Sequence, residues 1–104
     1  MSEVKHLTSS NFEELTSKGI VLIDFWASWC GPCRMLGPIL EQVAAEMGDD
    51  VLVAKINIEE EQDLATKFSV RSIPAMFILK DGKVVEDFVG LKDKTTLVNA
   101  IKAV

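Results

Sequence analysis

The hydrophobic pattern changes its period several times along the chain, and each change marks an element. Ile20 to Ala27 is a nearly continuous apolar run rich in β-formers. Its lack of alternation predicts a central strand covered on both faces. Beyond Pro32 the period lengthens: Met35, Leu36, Ile39, Leu40, Val43, Ala44 and Met47 fall on one face of a helix that Gly48 closes, with Pro38 predicted to kink it. Val51 to Ile58 reads as a second buried strand. A short helix carrying Leu64, Ala65 and Phe68 follows an acidic stretch. Ala75–Lys80 and Val84–Val89 flank Asp81-Gly82, a strong hairpin signal. From Asp93 the residues Leu97, Val98, Ala100, Ile101 and Val104 form a last helical stripe. At the start, Val4 to Thr8 suits a short strand, and Ser10-Asn11-Phe12-Glu13 reads as a capping box opening a helix that stops near Gly19.

The predicted order is therefore β-α-β-α-β-α-β-β-α. Helical crossovers imply parallel neighbours, and the hairpin adds an antiparallel pair. The fold class is α/β, a three-layer sandwich whose mixed central sheet of about five strands carries helices on both faces. No linker, repeat or low-complexity segment divides the chain, so residues 1–104 are expected to form a single domain.

Composition narrows the function. A net charge of −5 lacks the basic face that tracking nucleic-acid phosphates requires. No apolar run is long enough for a membrane span, and Asp24 and Asp63 interrupt the candidates. The start, Met1-Ser2-Glu3-Val4-Lys5, shows no apolar signal region, which makes the cytoplasm the expected location. Nothing resembles a Gly-rich phosphate loop, and no bound cofactor or metal is expected.

The chain has two cysteines, both in Cys30-Gly31-Pro32-Cys33. A bond closing so short a loop stabilises a domain by only roughly 2 kcal/mol, and a reducing cytosol would leave it open. The pair points to chemistry. It sits where a buried strand gives way to a helix, and Pro32 suits the first helical turn. Cys30 is then expected at the N-cap, where unpaired amides and the helix dipole favour thiolate over thiol. Cys30 is the candidate nucleophile and Cys33, deeper in the first turn, the resolving thiol. Competing readings are a zinc half-site, a cluster shared between chains, and two inert buried cysteines. With His6 the lone histidine, one chain cannot complete a four-ligand Cys/His site, and no Cys-His-Asn set supports a cysteine protease. Asp24 is the ionisable group in an apolar strand six positions before Cys30, and burial should raise its pKa toward a range useful for proton transfer. An acid tolerated by a local hydrogen bond is the alternative.

Trp29-Cys30-Gly31-Pro32-Cys33 after Asp24-Phe25-Trp26-Ala27 resembles the active site of the thioredoxin family. Ala54-Lys55-Ile56-Asn57-Ile58, Arg71-Ser72-Ile73-Pro74, Asp81-Gly82 and Val89-Gly90 follow in that family's order and spacing. The resemblance implies a thiol–disulfide oxidoreductase that reduces protein disulfides and is recycled by a separate NADPH-dependent flavin reductase, thioredoxin reductase. It implies a monomer whose redox group is the Cys30–Cys33 disulfide. It also implies that Asp24 accepts the Cys33 proton through water, and that Lys55 lies near Asp24 and biases its charge. A snorkelling edge lysine is the plainer reading of Lys55. The Ile73–Pro74 bond is implied to be cis and to face the dithiol, leaving the Ile73 backbone free to pair with an extended substrate. Trp29, Ile73, Pro74, Val89 and Gly90 would form an apolar rim around Cys30, with Gly31 and Pro32 part of the same substrate-binding surface. Trp26 is expected in the core. Gly-Pro between the cysteines resembles the reducing members. A disulfide oxidase or isomerase, or a redox-independent structural subunit, are the alternatives. The sequence departs from the family pattern at Ala75, where threonine is usual, and at Leu91, where alanine is frequent. Both are expected in the docking groove, where they bear on partner preference. His6 is expected on the surface, and Glu59 to Glu61 on a solvated face without a ligand.

Overall fold

The computed structural model describes residues 3–104. Met1 and Ser2, part of the start inspected above for a signal, lie outside them. The elements are β1 (Lys5–His6), α1 (Phe12–Thr16), β2 (Ile20–Trp26), α2 (Gly31–Met47), a 3-10 turn (Gly48–Asp50), β3 (Val51–Asn57), α3 (Gln62–Lys67), β4 (Ala75–Lys80), β5 (Lys83–Val89) and α4 (Lys94–Lys102). The five strands make one sheet in the order β1-β3-β2-β4-β5. The unbroken apolar run is its middle strand: Val21, Leu22, Ile23, Asp24 and Phe25 are all buried. The first strand is shorter than Val4–Thr8, reduced to two residues paired with Ala54 and Lys55.

Register sorts the side chains. Leu22 of β2 pairs with Val53 of β3 and Ile78 of β4. These face Leu36, Leu40, Val43 and Ala44 of α2 and Leu97, Val98 and Ile101 of α4, forming one core cluster. The intervening residues Val21, Ile23 and Phe25 face the other way with Ala54, Ile56 and Leu79, against Phe12 of α1 and Leu64 of α3. Alternation across the pleat thus assigns each strand residue to a layer.

One expectation fails in an informative way. β1 and β2 each run parallel to β3, but β4, although it follows a helix, is antiparallel to β2. The 17 residues of α2 span about 26 Å at about 1.5 Å each and return the chain along a strand. The six residues of α3 span only about 9 Å, and with the irregular segments on either side of α3 the chain re-enters the sheet at the end where β3 stopped. Pro74 is thereby brought to the end of the sheet where β2 also finishes, as Phe25 pairs with Ala75.

The capping box also differs. Asn11 precedes α1, but its side chain accepts from the Thr8 N–H (2.7 Å), and the Thr8 and Ser10 hydroxyls bond each other (2.9 Å). Local side-chain bonds to the preceding turn have won over the helix amides. α2 runs unbroken through Pro38, which leaves the Arg34 carbonyl without its usual amide partner.

Asp81 (φ 51°) and Gly82 (φ 86°) both adopt the left-handed region required at the tip of a two-residue hairpin. Asp81 also accepts the Gly19 N–H on Oδ1 (2.8 Å) and donates its own N–H to the Gly19 carbonyl (2.9 Å), pinning the hairpin to the loop before β2. A Cβ at residue 82 would meet atoms no nearer than 3.8 Å, so backbone conformation alone sets the cost of filling it. Gly82→Ala should lower stability by about 1 kcal/mol in urea unfolding, with disulfide reduction unchanged.

Candidate active site

The dithiol caps α2. Cys30 occupies the N-cap with extended backbone (φ −90°, ψ 111°), and its Sγ accepts from the Cys33 N–H at 3.2 Å. Its own N–H donates to the Ala27 carbonyl at 3.2 Å, and its carbonyl accepts from the Arg34 N–H at 3.3 Å. Gly31 and Pro32 fill the first helical positions, where a missing proline N–H costs nothing. Cys30 and Cys33 are disulfide-bonded to each other. An amide donor on the Cys30 sulfur, together with the positive end of a 17-residue helix, stabilises a thiolate there once the bond is reduced.

The expected contrast in exposure is absent: Cys30 is 5% and Cys33 4% exposed. The geometry that distinguishes them is the capping position of Cys30.

Exposed apolar side chains stand at the dithiol end of the sheet, while Val84 and Val85 expose a second pair toward the hairpin end of β5. Trp29 is 65% exposed and Val89 62%. Pro32 is also exposed, Gly31 and Ile73 are half-buried, and Pro74 is buried. The Ile73–Pro74 bond is cis. The Pro74 carbonyl accepts from the Gly90 N–H at 2.8 Å, so the turn before β4 and the end of β5 are joined. Pro74 itself is buried beside this surface. Ala75 departs from the expected groove. It is 4% exposed and belongs to the core cluster under α1 and α3, whereas Leu91 is 40% exposed. Ala75 pairs with Phe25 of β2 and Val89 of β5 inside the sheet.

Asp24 is fully buried, and neither carboxylate oxygen has a hydrogen-bond partner. Burial pushes its pKa from 3.8 up to about 7, against a smaller downward pull from the Lys55 ammonium. It pairs with Lys55 across β2 and β3 and lies two residues from Leu22, on the face that α2 covers. Lys55 makes no direct ion pair with it. Its Nζ stands 4.7 Å from the centroid of the Trp26 ring, a cation–π contact that holds the charge beside the acid. Trp26 is half-buried on the same face, nearer the core than the rim.

Sequence reasoning missed the contacts that brace the loop before Cys30. The Arg34 guanidinium donates to the Ser28 carbonyl at 3.0 Å, and the Ser28 hydroxyl donates to Glu59 at 3.3 Å. Glu61 accepts from both the N–H and the hydroxyl of Ser9 (2.8 and 2.9 Å). Glu59 and Glu61 therefore tie loops together from a face on which Glu59 and Glu60 are exposed. Such pairs span 31 and 52 residues in sequence, and no local pattern signals them.

A strand-to-helix dithiol capping α2, beside a cis-proline turn on a five-stranded mixed sheet, defines a thiol–disulfide exchange protein of the thioredoxin fold class. Comparison with known proteins agrees. The Thioredoxin family model matches residues 3–103. Thioredoxin of Bacillus subtilis (strain 168) is 51% identical over 90 residues, covering 86% of each chain. Thioredoxin of Chlamydia pneumoniae is 51% identical over 98 residues, covering 94% of this chain and 95% of its own. A mutant thioredoxin from Halobacterium salinarum NRC-1 superposes with a TM-score of 0.90 at 39% identity, covering 97% of this chain and 89% of that one. The chain belongs to the thioredoxin family. It is a thiol–disulfide oxidoreductase that reduces disulfides in other proteins, recycled by a separate reductase, and its redox group is the disulfide between its two cysteines. Among the described residues no helix is long and apolar enough to cross a membrane.

Proposed function

We propose that Cys30 is the attacking thiolate, Cys33 the resolving thiol and Asp24 the base. The Cys30 thiolate attacks one sulfur of a substrate disulfide, forming a mixed disulfide and expelling the other substrate sulfur as a thiolate. Asp24 then takes the Cys33 proton through water. The Cys33 sulfur attacks Cys30 Sγ, which breaks the mixed disulfide, releases the second substrate sulfur and forms the Cys30–Cys33 bond. The substrate gains two electrons and the protein loses two. The amide donor on Cys30 Sγ supports the order of attack. The buried, unpaired Asp24 carboxylate supports the proton transfer, since an acid ionising at about 7 is charged and neutral in comparable amounts near neutral pH.

Substrate binds over Trp29, Gly31, Pro32, Val89 and Gly90, with the Ile73 backbone beside Pro74 pairing with an extended segment. Lys55 tunes Asp24 by its charge. The exposed Leu91 adds apolar surface beside Gly90 and biases partner choice. The recycling enzyme is an NADPH-dependent flavin reductase. The protein acts in the cytoplasm as a monomer, the whole chain serving as one thioredoxin domain. The experiment is insulin disulfide reduction driven by NADPH and a flavin thioredoxin reductase, paired with titration of the dithiol against glutathione. Turnover with a potential below that of glutathione is expected. A potential well above it would instead make the protein an oxidant.

A further inference from the structure

An acid that titrates must exchange its proton with water, and Asp24 has no exposed surface of its own. We propose that the cleft between α2 and the β1–β3 edge of the sheet is the route by which the Asp24 proton reaches bulk water, with Gly37 as its aperture. The proposal rests on the reading of Asp24 as the base.

The cleft measures about 420 Å³ and is lined by Glu3, Val4, His6, Gly37, Glu41 and Lys55. Lys55 connects it to the acid. It lines the cleft, stands in register with Asp24 on the same face of the sheet and is half-buried between them. The charged or titratable groups around this route are Lys55 from β3, Glu41 from α2, His6 from β1 and Glu3 just before β1. From β4 the residue opposite Asp24 is Met76, and the nearby cluster residues of α4 (Leu97, Val98 and Ile101) are apolar. Apart from the Cys33 thiol and the Trp26 indole on the dithiol side, the cleft is the polar part of this surround. It is roomy enough for ordered waters between groups that bind them.

Gly37 supplies the independent observation. A glycine inside a helix costs roughly 0.5–1 kcal/mol relative to alanine. Nothing in the local backbone requires this one: its φ is not positive, and a Cβ built there meets no atom within 4 Å. No packing constraint excludes a side chain, which would project toward the cleft that Gly37 lines. The missing side chain keeps that wall of the cleft open.

The test follows the carboxyl carbon of Asp24 by NMR in protein labelled at aspartate, with Asp24→Asn assigning the signal. In the parent protein one signal should move continuously as pH is raised through the titration, because exchange with water is fast. In Gly37→Leu, exchange should slow by about tenfold or more, equivalent to about 1.4 kcal/mol of added barrier, and the signal should broaden or split near its midpoint. Gln42→Leu, at an exposed position on the same helix, should behave as the parent. Gly37→Ala adds a single methyl group and favours the helix, so it must slow exchange in the same direction, by less. Unchanged exchange in a folded variant of either size overturns the route, as does slow exchange in the parent. Failure of the base reading is distinguishable: Asp24→Asn would leave the rate of Cys33 attack unaltered, whatever the exchange rate of the Asp24 proton.

Discussion

Cys33→Ser should leave the protein able to attack a disulfide and unable to let go. Its Cys30 thiolate still forms the mixed disulfide, but serine cannot displace it, and substrate stays attached until an external thiol removes it. Mass spectrometry under non-reducing conditions should find one substrate chain per protein, bonded at Cys30. Cys30→Ser should give neither turnover nor a comparable adduct, since Cys33 has no capping position and its thiol lacks the amide donor that serves Cys30. The effect on turnover is expected to be complete in both variants, because nucleophile and resolving thiol act as a unit and neither has a substitute elsewhere in the chain. Equal trapping by the two single variants would overturn the assigned order. The near-identical exposure of the two cysteines makes this a real test, because access alone predicts no difference between them.

Where the sequence proved readable, one physical cause dominated locally. The unalternating run from Ile20 to Ala27 could be satisfied only by cover on two faces, and the structure places its first seven residues in the central strand of the sheet. Asp-Gly at 81–82 supplies the two left-handed residues a tight hairpin needs. Cys30-Gly31-Pro32-Cys33 stands at a strand-to-helix junction, and that position alone puts Cys30 on the cap. Asp24 was conspicuous as an acid inside an apolar strand. What stayed hidden depends on the path of irregular segments and on partners distant in sequence. The orientation of β4 is set by how the segments around α3 turn the chain, which no motif carries. Lys55 was visible as an isolated charge, but its place over the Trp26 ring is a tertiary fact. The cleft draws on residues 3–6, 37–41 and 55, three separate segments whose meeting only the folded chain reveals.

Asp24→Leu should make the protein more stable at neutral and alkaline pH while impairing catalysis. The sign follows from linkage. In the folded state Asp24 holds its proton up to about pH 7, whereas in the unfolded chain it loses it near 3.8. Between those values the native state binds more protons than the unfolded state, so stability falls as pH rises. Below about pH 4 both states are protonated and the acid carries no ionisation penalty. Above pH 7 both are ionised, and keeping a charge in the core has cost the fold roughly 4 kcal/mol. Leucine removes that cost and branches at the same carbon, although it is larger, so urea unfolding at pH 8 should show a gain of up to roughly 3–4 kcal/mol over its value near pH 4. A gain independent of pH would mean that packing, not buried charge, is responsible. The same substitution should slow the resolving step, to which a positioned base contributes typically 10²–10⁴-fold. In the parent that step should accelerate as pH rises through about 7, and in Asp24→Asn this inflection should vanish. The stability surrendered at residue 24 and the rate lost on recovering it then have one origin: a carboxylate kept out of water, where its proton affinity suits the thiol it serves.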